Sequence, residues 1–245
     1  MFAGPNGSGK SVIKSAVPRR LLGAYVNPDE IEKSIKDDGG WFDLGKFGFP
    51  LVENDFRTYL VNSEVLASKK IVVDHDDIHW DGTKVRFGKA IASSYLGSAL
   101  ADFLRIHLKS SRLDFSTETV MSHSSKVELL RSAQADGYRT YLYYVSTEDC
   151  DINVSRVKQR FESGGHDVPE EKIRKRYVKS MELIRQALRF SNRAYFFDNS
   201  FDDRNLDKMW IAEVTDGDTL EFKQNRLPDW FRQYVWDPGS QVSSE

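Results

Sequence analysis

The stretch GPNGSGKS, beginning at Gly4, constrains this chain more than any other. Gly4, Gly9, Lys10 and Ser11 fill every fixed position of GxxxxGK[ST], the phosphate-binding loop of nucleotide-binding proteins. Glycine reaches backbone conformations closed to other residues, so successive N–H groups can curl around phosphate oxygens with no Cβ in the way. Pro5, Asn6, Gly7 and Ser8 complete the cradle. Lys10 is expected to reach the β- and γ-phosphates and the Ser11 hydroxyl to ligate Mg²⁺, while the helix-like KSVIKSAV offers its positive N-terminal end. The loop therefore implies a bound nucleotide with its Mg²⁺. Only Met1, Phe2 and Ala3 precede it, whereas a buried strand usually runs about five or six residues, so the expectation is a start shortened from the native one.

At 245 residues the chain can hold one α/β domain with insertions, and a single domain over 1–245 is expected. With 35 basic and 37 acidic side chains, the charge balance offers no bulk attraction to nucleic acid or a membrane. A single cysteine, Cys150, excludes an internal disulfide and a cysteine-based zinc site and fits a reducing compartment. No apolar run approaches 18 residues and no signal peptide is visible, which points to a cytoplasmic protein.

Short apolar or aromatic runs bounded by turn residues, GAYVN, LDFSTETV, YRTYLYYV and RAYFFDN, read as buried strands. Helical patterns separate them. SHSSKVELLRSAQADG has a cap candidate at Ser122 and a stop at Gly137, and PEEKIRKRYVKSMELIRQALRF starts with Pro169 and two acids. This alternation predicts a mostly parallel central sheet flanked by helices, with the ligand beside the loop after the first strand. Residues 38–88, rich in glycine and aromatics, break the rhythm and read as an inserted subdomain with a hairpin at Asp81-Gly82. A second hairpin is expected at Asp216-Gly217, followed by the aromatic helix LPDWFRQYVW, whose rings serve core packing, and a frayed tail, GSQVSSE.

A phosphate-binding loop does not by itself separate kinases from GTPases, motors or transporters. In NPDEI, Asp29 and Glu30 follow the second strand, where a carboxylate can deprotonate an acceptor hydroxyl, hold Mg²⁺ through water, or simply open a helix behind Pro28. In FSTETV, Glu118 and Thr119 end an otherwise buried strand and need polar partners, which a substrate can supply. Arg156, Arg160, Arg174 and Arg176 lie on two helical segments around Gly164-Gly165, so 152–190 reads either as an arginine-bearing lid closing on ATP or as an ordinary charged surface. The cluster DHDDIH, with His75 and His79, falls in the hairpin, where its side chains need not converge on a metal, and His166 suits a turn-stabilising role.

The order AGPNGSGKS, NPDEI, FSTETV, RVKQRFESGGHDVPEEKIRKRY and FFDNS resembles the zeta-toxin-like kinase family, whose best-known members phosphorylate UDP-N-acetylglucosamine. The resemblance implies an adenylate-kinase-like P-loop fold. It implies Asp29 as general base, Glu118 and Thr119 near a nucleotide-sugar, and Arg160 and Arg176 on the ATP phosphates, with Arg156 and Arg174 assisting. It also admits a protein antitoxin as partner. The insertion at 38–88 lies between the expected base and the Glu118 strand, where it can reshape the acceptor pocket. An antibiotic or other metabolite phosphotransferase and a non-catalytic ATP-dependent switch are the competing readings. A nucleic-acid kinase fits poorly, because no continuous basic and aromatic track runs through the sequence.

Overall fold

The computed structural model describes residues 1–88, 93–164, 168–201 and 205–236. Gly165 and His166 of the expected hinge, the His75 side chain and the tail from Gly239 onward lie outside the described residues. In chain order the first elements are β1 (Phe2–Ala3), α1 (Lys10–Ala16), β2 (Ala24–Val26), α2 (Pro28–Asp37), β3 (Trp41–Asp43), α3 (Glu53–Val61), α4 (Glu64–Ala67), β4 (Ile78–Asp81), β5 (Lys84–Phe87), α5 (Ser94–Ser110) and β6 (Phe115–Thr119). There follow α6 (Ser125–Ala135), β7 (Tyr141–Ser146), α7 (Cys150–Glu162), α8 (Glu170–Glu182), α9 (Ile184–Leu188), β8 (Arg193–Asp198), α10 (Leu206–Met209), β9 (Trp210–Thr215), β10 (Thr219–Phe222) and α11 (Asp229–Tyr234). The fold is mixed α/β, with a mostly parallel sheet and flanking helices, as the alternation predicts. By packing, the chain forms two compact units, Met1–Val17 with Thr119–Glu245, and Pro18–Glu118.

In the first unit β1 is a two-residue stub, paired parallel with β7 through Phe2↔Tyr143 and Ala3↔Tyr144. Its side chains are fully buried, and Tyr143 N donates to Met1 O at 2.8 Å, extending the pairing by one bond. Six residues of β7 run parallel to β8 in register from Tyr141↔Arg193 to Ser146↔Asp198. β9 then runs antiparallel to β8, and β10 antiparallel to β9. The β9–β10 turn falls at Asp216-Gly217, both with positive φ (49° and 83°), the pairing that a tight hairpin favours. Leu142, Tyr144, Ala194, Phe196 and Val214 form the core, and Trp230 and Phe231 of α11 seat in it, so the C-terminal aromatics do pack inward.

The second unit pairs β2 parallel with β6 and folds β3, β5 and β4 into a separate three-stranded antiparallel sheet. That sheet lies within 38–88, and its hairpin turns at Gly82, with φ of 59°. α5 is apolar along one side and buries Leu96, Leu100, Phe103 and Leu104, with Phe56 of α3 edge-on to Phe103 at 5.0 Å. Gly97 brings α5 against the start of α2: a Cβ there would lie 2.6 Å from Pro28 O.

Two boundaries differ from the sequence reading. Ser122 does not cap α6; Met121 is buried with a left-handed φ of 53°, which delays the helix to Ser125, and His123 Nδ1 accepts from the Ser125 amide at 3.2 Å in a capping role. The long pattern after Pro169 is two helices, breaking at Leu183, with Ile173 and Met181 buried on α8 and Ile184, Ala187 and Leu188 on α9. No helix among the described residues is long and apolar enough to cross a membrane.

Candidate nucleotide site

The glycine-rich loop leaves β1 at Gly4 and enters α1 at Lys10, wholly within the first unit. Each of its three glycines is dictated by geometry. Gly4, Gly7 and Gly9 have φ of 139°, 75° and 95°, and an added Cβ would lie 2.0 Å from Val145 O, 2.7 Å from Asn153 O and 2.2 Å from Asn199 Nδ2 respectively. Lys10 is buried at 7% exposure, and its Nζ donates to Gly4 O and Pro5 O at 3.0 Å each, so the ammonium folds back over the start of the loop. Ser11 is exposed in the first turn of α1. Asn6 Oδ1 and Ser8 Oγ are buried polar atoms without a hydrogen-bond partner among the described residues. A tight glycine cradle with the unpartnered Ser8 hydroxyl as a donor and a lysine at its mouth fits a polyphosphate.

Two asparagines hold the loop from outside. Asn153 of α7, fully buried, donates through Nδ2 to Asn6 O at 2.6 Å, and its Oδ1 accepts from Thr147 Oγ1. Asn199, just past β8, donates through Nδ2 to Ser8 O at 2.8 Å and through its backbone amide to Ser146 O at 2.8 Å. Asn199 O in turn accepts from Arg156 Nη1 at 2.7 Å.

The arginines have separate circumstances. Arg156 is half-buried and tied to Asn199 as described; Arg160 is exposed on α7, and Arg176 half-buried on α8. Arg174 is engaged by carboxylates, pairing with Asp151 at 2.6 Å and Glu170 at 2.7 Å, and both hold its pKa above the ordinary value. Those pairs join the first turns of α7 and α8, which pack together. Thr119, at the end of β6, accepts from Met121 N at 3.0 Å through Oγ1.

Asp29 and Glu118 belong to the second unit. Asn27 caps α2, its Oδ1 accepting from Asp29 N at 2.9 Å, with Pro28 at the first helical position; the Asp29 side chain is exposed in that first turn. Glu118 is half-buried on β6 and accepts from Tyr25 OH at 2.8 Å, while Tyr25 OH accepts from Asn27 Nδ2 at 3.1 Å. An unbroken chain of three hydrogen bonds therefore links Glu118 to the helix turn that carries Asp29. Burial, then the Glu118 charge, push the Tyr25 pKa far up, which keeps its hydroxyl protonated as a donor. The neighbouring Thr117 is buried and accepts from Arg105 Nη1 at 3.2 Å, which fastens β6 to α5. In the small sheet, His79 packs edge-on against Trp41 at 5.6 Å.

Sequence reasoning passed over Tyr25 and Asn153 and gave Asn199 no role of its own. The signal at Asn153 is an amide on the buried side of α7, four residues before the buried Val157, where an apolar side chain would otherwise stand.

The zeta toxin family model matches residues 92–225. A Haemophilus influenzae protein of uncharacterised function is 31% identical over 65 residues, which cover 26% of this chain and 46% of that one. Among solved structures, AvrRxo1-ORF1 with ORF2 and ATP aligns at a TM-score of 0.51 and 16% identity, covering 100% of this chain and 65% of that one. The same pair with sulphate ions aligns at 0.51 and 15%, covering 99% and 65%. At such identity the likeness shows the fold, and the chain spans less than two thirds of each of these proteins. The family match takes in more than half of the 245 residues, from the approach to α5 through β6, the two arginine-bearing helices and β10, and by it this chain belongs to the zeta toxin family.

Proposed function

We propose that this protein is an ATP-dependent small-molecule kinase that moves the γ-phosphoryl group to a hydroxyl of a nucleotide-sugar such as UDP-N-acetylglucosamine. The observation that carries the reading is the glycine cradle: three positions where any Cβ would collide with the surrounding scaffold, with Lys10 buried at its mouth. Such a cradle serves backbone donors approaching phosphate oxygens closely. Family membership and the ATP named with the AvrRxo1-ORF1 structure support the nucleotide.

Phosphoryl transfer needs little covalent help from protein, so positioning and charge neutralisation do the work. Gly4 to Ser11 bind the phosphates, and Lys10 releases the Gly4 and Pro5 carbonyls to follow the β- and γ-oxygens. Arg160 and Arg176 neutralise charge on the transferring group, with Arg156 holding the loop through Asn199. Arg174 serves the α7–α8 junction. Ser11 would hold Mg²⁺, which supplies charge neutralisation across the phosphates. Asp29 takes the proton of the acceptor hydroxyl, and Glu118 and Thr119 orient the acceptor. The partner this reading assigns is a protein antitoxin, in line with the family and with the ORF2 named beside AvrRxo1-ORF1.

Incubation with γ-labelled ATP and a panel of UDP-sugars tests the reading. Label is expected on the sugar nucleotide, and Asp29→Asn is expected to abolish transfer while leaving ATP binding intact. Wild-type turnover in that variant rejects Asp29 as the base. ATP-dependent association with a protein partner, without transfer to any small molecule, replaces the kinase by a switch.

A further inference from the structure

We propose that Asn153 and Asn199 are positioning residues that preset the phosphate-binding loop by fixing two alternate peptide planes, so that the Gly7 and Gly9 amides face the nucleotide before it arrives. The inference rests on the nucleotide reading of the loop. A peptide unit is planar and trans, so its C=O and the N–H of the following residue point in opposite directions. Asn153 Nδ2 grips Asn6 O at 2.6 Å, which turns the Gly7 N–H away from α7. Asn199 Nδ2 grips Ser8 O at 2.8 Å, which turns the Gly9 N–H away from β8. Among the described residues, neither the Gly7 nor the Gly9 amide donates to a protein acceptor.

Both clamps are anchored at one place, the C-terminal end of β7. Asn153 Oδ1 accepts from Thr147 Oγ1, and the Asn199 amide donates to Ser146 O at 2.8 Å; Ser146, Thr147 and Asn153 are all fully buried. The glycines make the grip possible, since a Cβ on Gly7 would lie 2.7 Å from Asn153 O and one on Gly9 2.2 Å from Asn199 Nδ2. The loop and its clamps are therefore fitted to each other. A donor already aimed at an anion spends no binding energy on reorientation, so the clamps should act on affinity for phosphates.

MgADP binding to the full chain provides the test, with Asn153→Ala, Asn199→Ala, the double variant and a volume-conserving Asn199→Leu. Calorimetric titration is expected to show each single change weakening MgADP by about tenfold and the double change by more. Melting temperatures without nucleotide are read alongside. In wild-type amide NMR spectra, MgADP is expected to move the Gly7 and Gly9 resonances downfield. Unchanged affinity in the double variant, whatever its melting temperature, assigns the two bonds to packing and overturns the proposal. Wild-type binding that leaves the Gly7 and Gly9 amides unmoved overturns it too, even if the variants fail to fold. A wild-type chain that does not bind MgADP sinks the nucleotide reading itself, a distinct result.

Discussion

Asn199 Nδ2 lies 2.8 Å from Ser8 O, and a methyl group on the adjacent Gly9 would come within 2.2 Å of that same nitrogen. Gly9→Ala therefore meets two penalties. Alanine at a φ of 95° is strained by about 1–3 kcal/mol, and the new methyl also evicts the asparagine from the loop. The variant should melt at lower temperature than wild type and lose the rise in melting temperature that saturating MgATP gives to a protein binding it only when folded. A thermal scan with and without MgATP checks this, and a full nucleotide-induced rise in the variant contradicts it.

Tyr25→Phe separates the acceptor side from the nucleotide side. Removing the hydroxyl takes the 2.8 Å donor from Glu118 and the 3.1 Å acceptor from Asn27, whose other end caps the turn bearing Asp29. Loss of one such bond costs about 0.5–1.5 kcal/mol. With UDP-N-acetylglucosamine as acceptor, transfer should drop about tenfold, while MgATP affinity should stay at the wild-type value, because the glycine-rich loop proposed to bind it belongs to the other unit. Equal losses in both measurements would mean that the hydroxyl supports the fold as a whole and not the acceptor side in particular.

The sequence announced what local chemistry dictates and missed what distant packing dictates. The loop from Gly4 to Ser11, the hairpin at Asp216-Gly217 and the helix start at Pro28 were legible because each depends on the φ preference or turn chemistry of the residues within it, whereas the Asn27 cap of that helix was not read. The buried turn at Met121 was not, because its left-handed backbone is held by Thr119 and by burial in a core assembled from distant strands. Nor was the role of Asn153, whose partners Asn6 and Thr147 are 147 and 6 residues away. Arg174 reads in the sequence as an assisting arginine or as part of an ordinary charged surface; the fold pairs it with two carboxylates, Asp151 and Glu170.

Gly97→Ala tests the seating of α2. In an isolated helix the change favours folding by up to about 1 kcal/mol. Here the added methyl would press on a backbone atom, Pro28 O at 2.6 Å, and on Glu32 Cβ at 3.2 Å, so α2 or α5 must shift. Overpacking of this kind costs about 1–3 kcal/mol and wins over the propensity gain. The variant should melt below wild type and transfer more slowly through displacement of Asp29, with MgATP affinity retained. A higher melting temperature would show that the two helices part freely.

Asp198 gives stability a definite pH dependence. Its Oδ1 accepts from Ser200 Oγ at 2.6 Å and from Trp230 Nε1 at 3.4 Å, yet burial, reinforced by the Glu148 charge, outweighs these bonds and raises its pKa above the ordinary value. The folded protein thus holds this proton more tightly than the unfolded chain, whose carboxyl titrates near pH 3.9, about the usual value for aspartate. As pH climbs from there through the raised pKa, the unfolded state binds fewer protons than the native one and stability falls; the deficit then persists to neutral pH. Asp198→Asn keeps an oxygen acceptor for Ser200 and Trp230 and removes the charge. It should raise the melting temperature at pH 7, with the gain shrinking toward zero as pH drops below about 4. Melting curves of both proteins across pH 3 to 8, roughly the span of carboxylate titration and its plateau, decide the matter. A difference that does not change with pH would mean that the Asp198 charge is fully compensated by its neighbours.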